Sequence, residues 1–404
     1  MTIDDQLAVL RRGTTEIISE EDLRTKLKSG KPLRVKLGVD PTAAHVTLGW
    51  AVVLRKLRDF QRFGHTACLV IGDFTAQIGD PSGKSKTRPQ LTREEVQSNV
   101  EAVSQQFYKI LDPERTEISF NADWLGKMGF DDVIRLASRM TVARILERDD
   151  FSKRLAEQRP ISMHELLYPL CQGFDSVALR ADIELGGTDQ KFNNLVGRTL
   201  MAQYGMEPQV VMLCPLLVGT DGVEKMSQSL GNYISVVDAP NDMYGKAMSI
   251  PDAVMENYFE LATDVPMDEV RSLIAGCDSG EINPRDVKRR LARELVELYH
   301  SAAEAEAADE HFLKTFSRRE QPTDAEPGVI PADMVVDGQV PLANLIVALG
   351  LEESTGRARK LVESGAVSID GDKVTDPRAR LAVADVEGRV LRVGKHRFRK
   401  LTRG

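Results

Sequence analysis

The sequence predicts an α/β protein with a doubly wound, mostly parallel sheet, followed by a helical part and a small mixed C-terminal domain. Three observations carry this. Short apolar runs alternate with helical periodicity over the first 240 residues. That pattern gives way to helices alone from about Asp242. A stretch rich in Pro and charge then precedes a final segment of short helices and strands. At 404 residues, 42% of them hydrophobic, the chain exceeds one ordinary core. Its 28% charged residues mark a well-solvated globular surface.

Residues 34–40 (RVKLGVD) read as a buried strand ending at Asp40-Pro41-Thr42. Thr47 to Phe63 follow as a helix with Leu48, Val52, Val53, Leu57 and Phe60 at helical spacing, and HTACLVIG (65–72) as a second buried strand. Strand, helix and strand within about forty residues form a βαβ unit. Further strands are expected at 118–121, 181–187 and 209–218, and helices at Asp131–Leu146 and 164–179. Beyond Asp242, helices are predicted at Asp252–Leu261, Met267–Ala275 and Arg285–Phe316. The domains are therefore placed at 1–240, 241–320 and 339–404, with 321–338 as a linker.

The net charge of −8 argues against a general nucleic-acid coat. From Asp337 onward, however, thirteen Lys/Arg face nine Asp/Glu, so the tail is +4 and the rest about −12. A basic module on an acidic body suits RNA contact by one domain, and equally a solvated surface with no partner. No eighteen-residue apolar run suggests a membrane helix, and no basic-then-apolar leader suggests secretion, so a cytoplasmic protein is expected. Cys68, Cys171, Cys214 and Cys277 are far apart and are expected as reduced, buried thiols without a zinc site.

Four segments carry chemistry. In DPTAAHVTLGWAVVLRKL (40–57) a strand turns into a helix whose start holds Thr47, Leu48 and Gly49; unpaired N–H groups there suit a phosphate. GDPSGKSKTR (79–88) resembles a Walker A loop but leaves three residues between Gly79 and Gly83 where that motif needs four. Its Lys84, Lys86 and Arg88 form a cationic loop able to close on a pyrophosphate, or simply a solvated basic turn. In YPLCQGFDSVALRADIELGGTDQKFN (168–193), Tyr168, Gln172 and Asp175 fall on one helix face, a polar stripe that either faces solvent or lines a pocket, with Tyr and Gln favouring the pocket. Gly186-Gly187 then permit close ligand approach, and Asp189 and Gln190 can bind hydroxyls. EKMSQSLGN (224–232) places Lys225, Ser227 and Ser229 in a loop, a phosphate-contact pattern.

Together and in this order, these segments resemble the signature of class I aminoacyl-tRNA synthetases of the tyrosyl kind. TLGW stands where that family has His-x-Gly-His, KMSQS where it has KMSKS, and residues 340–371 resemble its S4 RNA-binding fold. The resemblance implies tyrosine activation by ATP, with Mg2+ accompanying the nucleotide and no protein-bound metal, then transfer to tRNA(Tyr) by a homodimer. It implies that Asp175 meets the substrate phenol and that Asp80, Tyr168 and Gln172 hold its ammonium group, with Asn121 and Gln190 nearby. Asp40, Gly49, Trp50, Gly187, Asp189, Ser227 and Gln228 would line the ATP site. Thr42, Thr47, Lys84, Arg88 and Lys225 would meet the phosphates. Arg357, Arg359 and Lys360, with Lys395, Arg397, Arg399 and Lys400, would face RNA phosphates. A tryptophanyl enzyme shares the fold but fits the S4 tail and the Tyr168-Gln172-Asp175 face less well.

Three departures concern the ATP site: Thr47 and Trp50 replace both histidines of His-x-Gly-His, and Gln228 replaces the second lysine of KMSKS. They leave three readings open: a divergent working enzyme, a duplicate insensitive to an ATP-site inhibitor, or a weak paralogue that binds RNA. His45 reads as an exposed loop residue. Lys36, where some members place a tyrosine, carries no assigned role.

Overall fold

The computed structural model describes residues 1–39, 45–79, 100, 103–317, 326–394 and 397–403. These fall into two compact units, Met1–Ala305 and Glu306–Gly404.

The first unit is organised by a six-stranded sheet. In chain order its strands are β1 (Glu16–Ile18), β2 (Arg34–Val39), β3 (Thr66–Ile71), β4 (Thr116–Phe120), β5 (Ile183–Gly187) and β6 (Val210–Cys214). They lie in the order β1-β6-β5-β2-β3-β4, and every pair is parallel except the short edge strand β1 on β6. β3 and β6 are buried along almost their whole length, as strands covered by helices on both faces must be. The chain runs outward from β2 through β3 to β4, then returns to β5 on the other side of β2. That reversal between β2 and β5 is the topological switch point, where open α/β sheets leave a crevice beyond the C-terminal strand ends.

Helix Leu48–Arg62 makes the β2–β3 crossover. Thr47 caps it, accepting a hydrogen bond from the Trp50 N–H at 3.3 Å. Its inner face buries Leu48, Val52, Leu57 and Phe60 as the spacing predicts. The predicted helix over Asp131–Leu146 is two pieces, Phe130–Ala137 and Val142–Ile145, because Thr141 interrupts the first turn pattern and caps the second piece. Similarly, Arg285–Phe316 is not continuous: Pro284–Tyr299 ends at His300, whose ring nitrogen bonds the Asp238 carbonyl at 2.9 Å, and Ala302–Phe312 begins anew. β1 carries too little pattern in three residues to be foreseen.

Helix Met255–Ala262 packs against Leu48–Arg62, and Pro284–Tyr299 packs in turn against Met255–Ala262 and Pro240–Ser249. Charge ties them too. Asp264 meets Arg55 at 2.5 Å and Arg58 at 2.7 Å, with Arg62 at 3.6 Å. Burial pushes the Asp264 carboxyl up, but the arginines outweigh it and hold it at about 2.

In the second unit, β7 (Pro327–Ile330), β9 (Val367–Ile369), β10 (Asp372–Lys373), β12 (Val390–Val393) and β13 (Arg397–Arg403) form a sheet of order β10-β9-β12-β13-β7; β8 (Gln339–Pro341) pairs β11 (Arg380–Ala382). β7 lies in the stretch that the sequence reads as linker, and it runs parallel to the end of β13. The core holds Leu345, Ile346, Val362, Leu391 and Leu401. Asp370 and Gly371 turn β9 into β10 with φ of 49° and 93°, a left-handed pair that the Asp-Gly-Asp sequence announces.

Asp264→Ala is expected to destabilise the protein by about 1 kcal/mol at pH 7, the partly exposed site screening the rest. The folded carboxyl ionises more easily than the unfolded one, so this contribution is present above about pH 4 and lost toward pH 2. Urea unfolding of both proteins across that range checks it.

Candidate active site

The crevice at the switch point brings most of the predicted residues together in two groups. The deeper group hangs from helix Met163–Leu179, which starts at a Ser162/Glu165 capping box. Its Tyr168 and Asp175 are buried and Gln172 half-buried, so the face they share is turned inward and does not meet bulk water.

Asp175 is only 3% exposed. Its Oδ1 accepts from the Trp124 indole N–H at 2.8 Å, and its Oδ2 from the Asn121 amide at 3.4 Å. Asn121 is itself fixed: its amide donates to Thr75 Oγ1 at 3.0 Å and its carbonyl oxygen accepts from the Phe74 N–H at 3.0 Å. Burial pushes the Asp175 carboxyl up to about 7, against the opposing pull of the Lys36 ammonium and of both donors. Two donors do not saturate a carboxylate, which can accept a further O–H.

Gln172 and Gln190 are held by one relay. Asn193 Nδ2 donates to both Gln172 Oε1 and Gln190 Oε1 at 3.0 Å, Asn194 accepts from Gln172 Nε2 at 3.2 Å, and Arg148 Nη1 supports Asn193 at 3.1 Å. The glycine pair Gly186-Gly187 is explained by this packing. A Cβ on Gly186 would lie 2.7 Å from Asn194 Nδ2, and one on Gly187 would lie 2.6 Å from Asp189 Oδ1. The glycines thus admit the protein's own polar side chains, where the sequence suggests room for ligand.

The shallower group surrounds the end of β5 and the helix start at Thr47. Lys225 Nζ lies 3.3 Å from Asp189 Oδ2, joining two residues that the resemblance assigns to the nucleotide. The 217–232 loop is tightly folded. Met226 N–H bonds the Leu217 carbonyl, Ser227 N–H bonds Asn232 Oδ1 at 2.8 Å, and the Ser227 and Ser229 hydroxyls bond each other at 2.9 Å. Met226 Sδ accepts from the Gly49 N–H at 3.2 Å, seating the loop on the helix start. Gln228 donates to the His45 carbonyl, so it ties the loop to the segment before Thr47. His45 is exposed and Trp50 half-buried; the indole is not core filling. A Cβ on Gly49 would meet ordinary contacts at 3.5 Å, so no steric demand fixes that glycine.

Asp40, Thr42, Asp80, Lys84 and Arg88 lie outside the described residues. In the second unit, Arg357, Arg359 and Lys360 are exposed on helix Thr355–Glu363, whose other face buries Ala358 and Val362. Arg357 pairs with Glu353, and Arg399 with Glu326 at 3.0 Å, which reduces the outward charge from that expected. Among the described residues no three His, Cys, Asp or Glu side chains converge on a metal position.

Sequence reasoning missed Trp124, Thr75, Asn193, Asn194 and the pair Lys36–Glu184. Only the last left a signal: a lysine and a glutamate, each inside an apolar strand run.

A parallel sheet with this switch point is the architecture of a class I aminoacyl-tRNA synthetase, and the family match assigns the chain to that class. The family description "tRNA synthetases class I (W and Y)" matches residues 28–317, and "Tyrosine--tRNA ligase SYY-like C-terminal domain" matches 327–401. The tyrosine–tRNA ligase of Moorella thermoacetica is 53% identical over 98% of this chain and 95% of its own length. That of Mannheimia succiniciproducens is 52% identical over 98% of each. The tyrosyl-tRNA synthetase of Archaeoglobus fulgidus, solved with L-tyrosine, superposes with a TM-score of 0.62 at 25% identity, over 76% of this chain and all of that one. The chain belongs to the tyrosine–tRNA ligase family.

Because Asp175 binds its proton more tightly folded than unfolded, ionising it between about pH 4 and pH 7 weakens the substrate-free fold. Asp175→Asn should therefore raise stability by about 1–3 kcal/mol at pH 8 and by almost nothing at pH 4. Thermal unfolding at both pH values measures this.

Proposed function

We propose that the crevice between β2 and β5 activates L-tyrosine with ATP, and that the aminoacyl group then passes to the 3′ end of tRNA(Tyr). The buried Asp175 carboxylate, held by Trp124 and Asn121, carries this reading. In a desolvated site it rewards a substrate hydroxyl and penalises a side chain that leaves it unpaired. Tyr168, Gln172 and Gln190, with Asp80, are assigned to the ammonium end of the substrate.

In the reaction the tyrosine carboxylate attacks the α-phosphorus of ATP, and the bond to the pyrophosphate oxygen breaks. No enzyme group becomes covalently attached. Catalysis then rests on placing the two substrates and on meeting the charge of the departing pyrophosphate. Lys225 is assigned to this charge. Its contact with the exposed Asp189 spans only solvent-screened charges, so phosphate oxygens can compete for it while Asp189 turns to the ribose hydroxyls. Gly49, Trp50, Gly187, Ser227 and Asp40 are assigned to the nucleotide, with Thr42, Lys84 and Arg88 at its phosphates. Thr47 spends its oxygen on the helix cap and keeps its O–H to donate. Magnesium is taken to arrive as part of the ATP substrate.

The second unit is assigned to tRNA through the exposed Arg359 and Lys360 of its basic helix. The domain division of the sequence reading (1–240, 241–320 and 339–404) is kept as a proposal. So are a cytoplasmic location and a homodimer. No described helix is long and apolar enough to cross a membrane. Phe130, Ile134, Val142, Leu155 and Met163 are between 54% and 80% exposed within one short stretch of chain, a face suited to a second copy.

Two experiments test these assignments. Tyrosine-dependent pyrophosphate exchange into ATP should fall by about 100-fold or more in Asp175→Ala and in Lys225→Ala, mainly through the tyrosine KM in the first and through kcat in the second. Absence of exchange from the folded wild type would instead support the RNA-binding paralogue. Phe130→Asp combined with Met163→Asp should halve the mass found by sedimentation; an unchanged mass would remove this face as the dimer contact.

A further inference from the structure

The pocket helix is fastened to the sheet by charges that the reaction does not use. Lys36 on β2 and Glu184 on β5 are direct partners in the parallel register. Both are within 1% of complete burial, and Lys36 Nζ lies 2.9 Å from Glu184 Oε1. The same ammonium donates to the Gln172 carbonyl at 3.0 Å and to Ser176 Oγ at 2.8 Å. Ser176 in turn donates to Glu184 Oε2 at 3.1 Å, which also accepts from Gln209. All three ammonium protons are thereby committed, so Lys36 has none left for a substrate.

The turn it grips, Gln172 to Ser176, is the one that carries Asp175 into the pocket. Apolar side chains of equal volume usually stabilise a core as well as a buried ion pair does, so stability alone is a weak reason for this one. Its position gives a better one. Among the described residues, the groups acting on Asp175 are Lys36 from β2, Glu184 from β5, and the neutral donors Trp124 and Asn121 from the segment after β4. The Cys171 thiol on its own helix is pushed up to about 12 by burial and stays uncharged. Lys36 favours the Asp175 carboxylate and Glu184 opposes it, the lysine more strongly.

We propose that Lys36, oriented by Glu184, is a positioning residue that fixes the Asp175 turn and supplies the buried positive charge keeping Asp175 an ionised acceptor for the tyrosine phenol. The inference rests on the assignment of Asp175 to the phenol. It extends that assignment to two residues that touch no substrate.

The test is the pH dependence of the tyrosine KM in pyrophosphate exchange, for wild type, Glu184→Gln and Lys36→Met/Glu184→Gln. The double variant removes both members of the buried pair together, so neither is left without its partner, and thermal unfolding confirms that each protein is folded. In the wild type the KM rises as pH drops through the Asp175 transition, and Asp175→Asn abolishes that rise. In the double variant the transition moves up by about one pH unit, raising the neutral-pH KM about fivefold, with kcat moving less. In Glu184→Gln it moves down. A transition that stays put in both variants, with KM altered equally at all pH values, overturns the proposal and leaves a purely structural strut. If the wild type shows no transition, or Asp175→Asn retains it, the assignment of Asp175 to the phenol is what fails.

Discussion

The pairing of β2 with β5 is the constraint on which the site depends. It closes the sheet across the point where chain direction reverses, and so creates the crevice. It also puts Lys36 opposite Glu184 at the centre of the sheet, where neither charge could survive alone. A one-residue slip in this register would turn Glu184 to the opposite sheet face and strand Lys36 unpaired in the core. The register that satisfies the charges is therefore also the one that brings the end of β5, with Gly187 and Asp189, beside the end of β2. Electrostatic necessity and site geometry are specified by the same pair of residues.

Much of the architecture was legible because its signals are local. Apolar runs mark β2 and β3, Thr47 announces the start of its helix, and the Asp-Gly-Asp turn announces itself. What escaped depends on tertiary partners. Asp131–Leu146 and Arg285–Phe316 each have continuous helical periodicity; Thr141 interrupts the first, while a bond from His300 to a carbonyl 62 residues away accompanies the end of the second. β7 becomes a strand only by pairing with β13, some seventy residues later, and nothing in Pro-Gly-Val-Ile advertises it. The proposed site residues are nameable from their motifs, but the side chains that support them are not. Trp124 and Asn193 act through contacts that no spacing encodes.

The departures from the family pattern take on a physical meaning in this geometry. A lysine at position 228 would be a mobile cation facing pyrophosphate; Gln228 is instead a tether, its amide fixed on the His45 carbonyl. Beside it, Met226 is seated on the Gly49 N–H. Together they hold the 217–232 loop against the helix start, so that on the proposed assignment ordering the loop around ATP would cost less conformational entropy than it would for an untethered one. A lost charge and a gained restraint act in opposite directions on the barrier.

That exchange bears on how the positive charge needed by pyrophosphate is distributed. Of the cations assigned to the phosphates, Lys225 is the one among the described residues, and Asp189 pairs with it. An exposed pair of this kind contributes about 1 kcal/mol or less, so its disruption by a triphosphate is inexpensive. The ribose hydroxyls can then take the place of Lys225 at Asp189, since a carboxylate accepts from either. On the proposed assignment the contact holds both residues near the nucleotide before it binds, and its release would free one group for each end of the ligand.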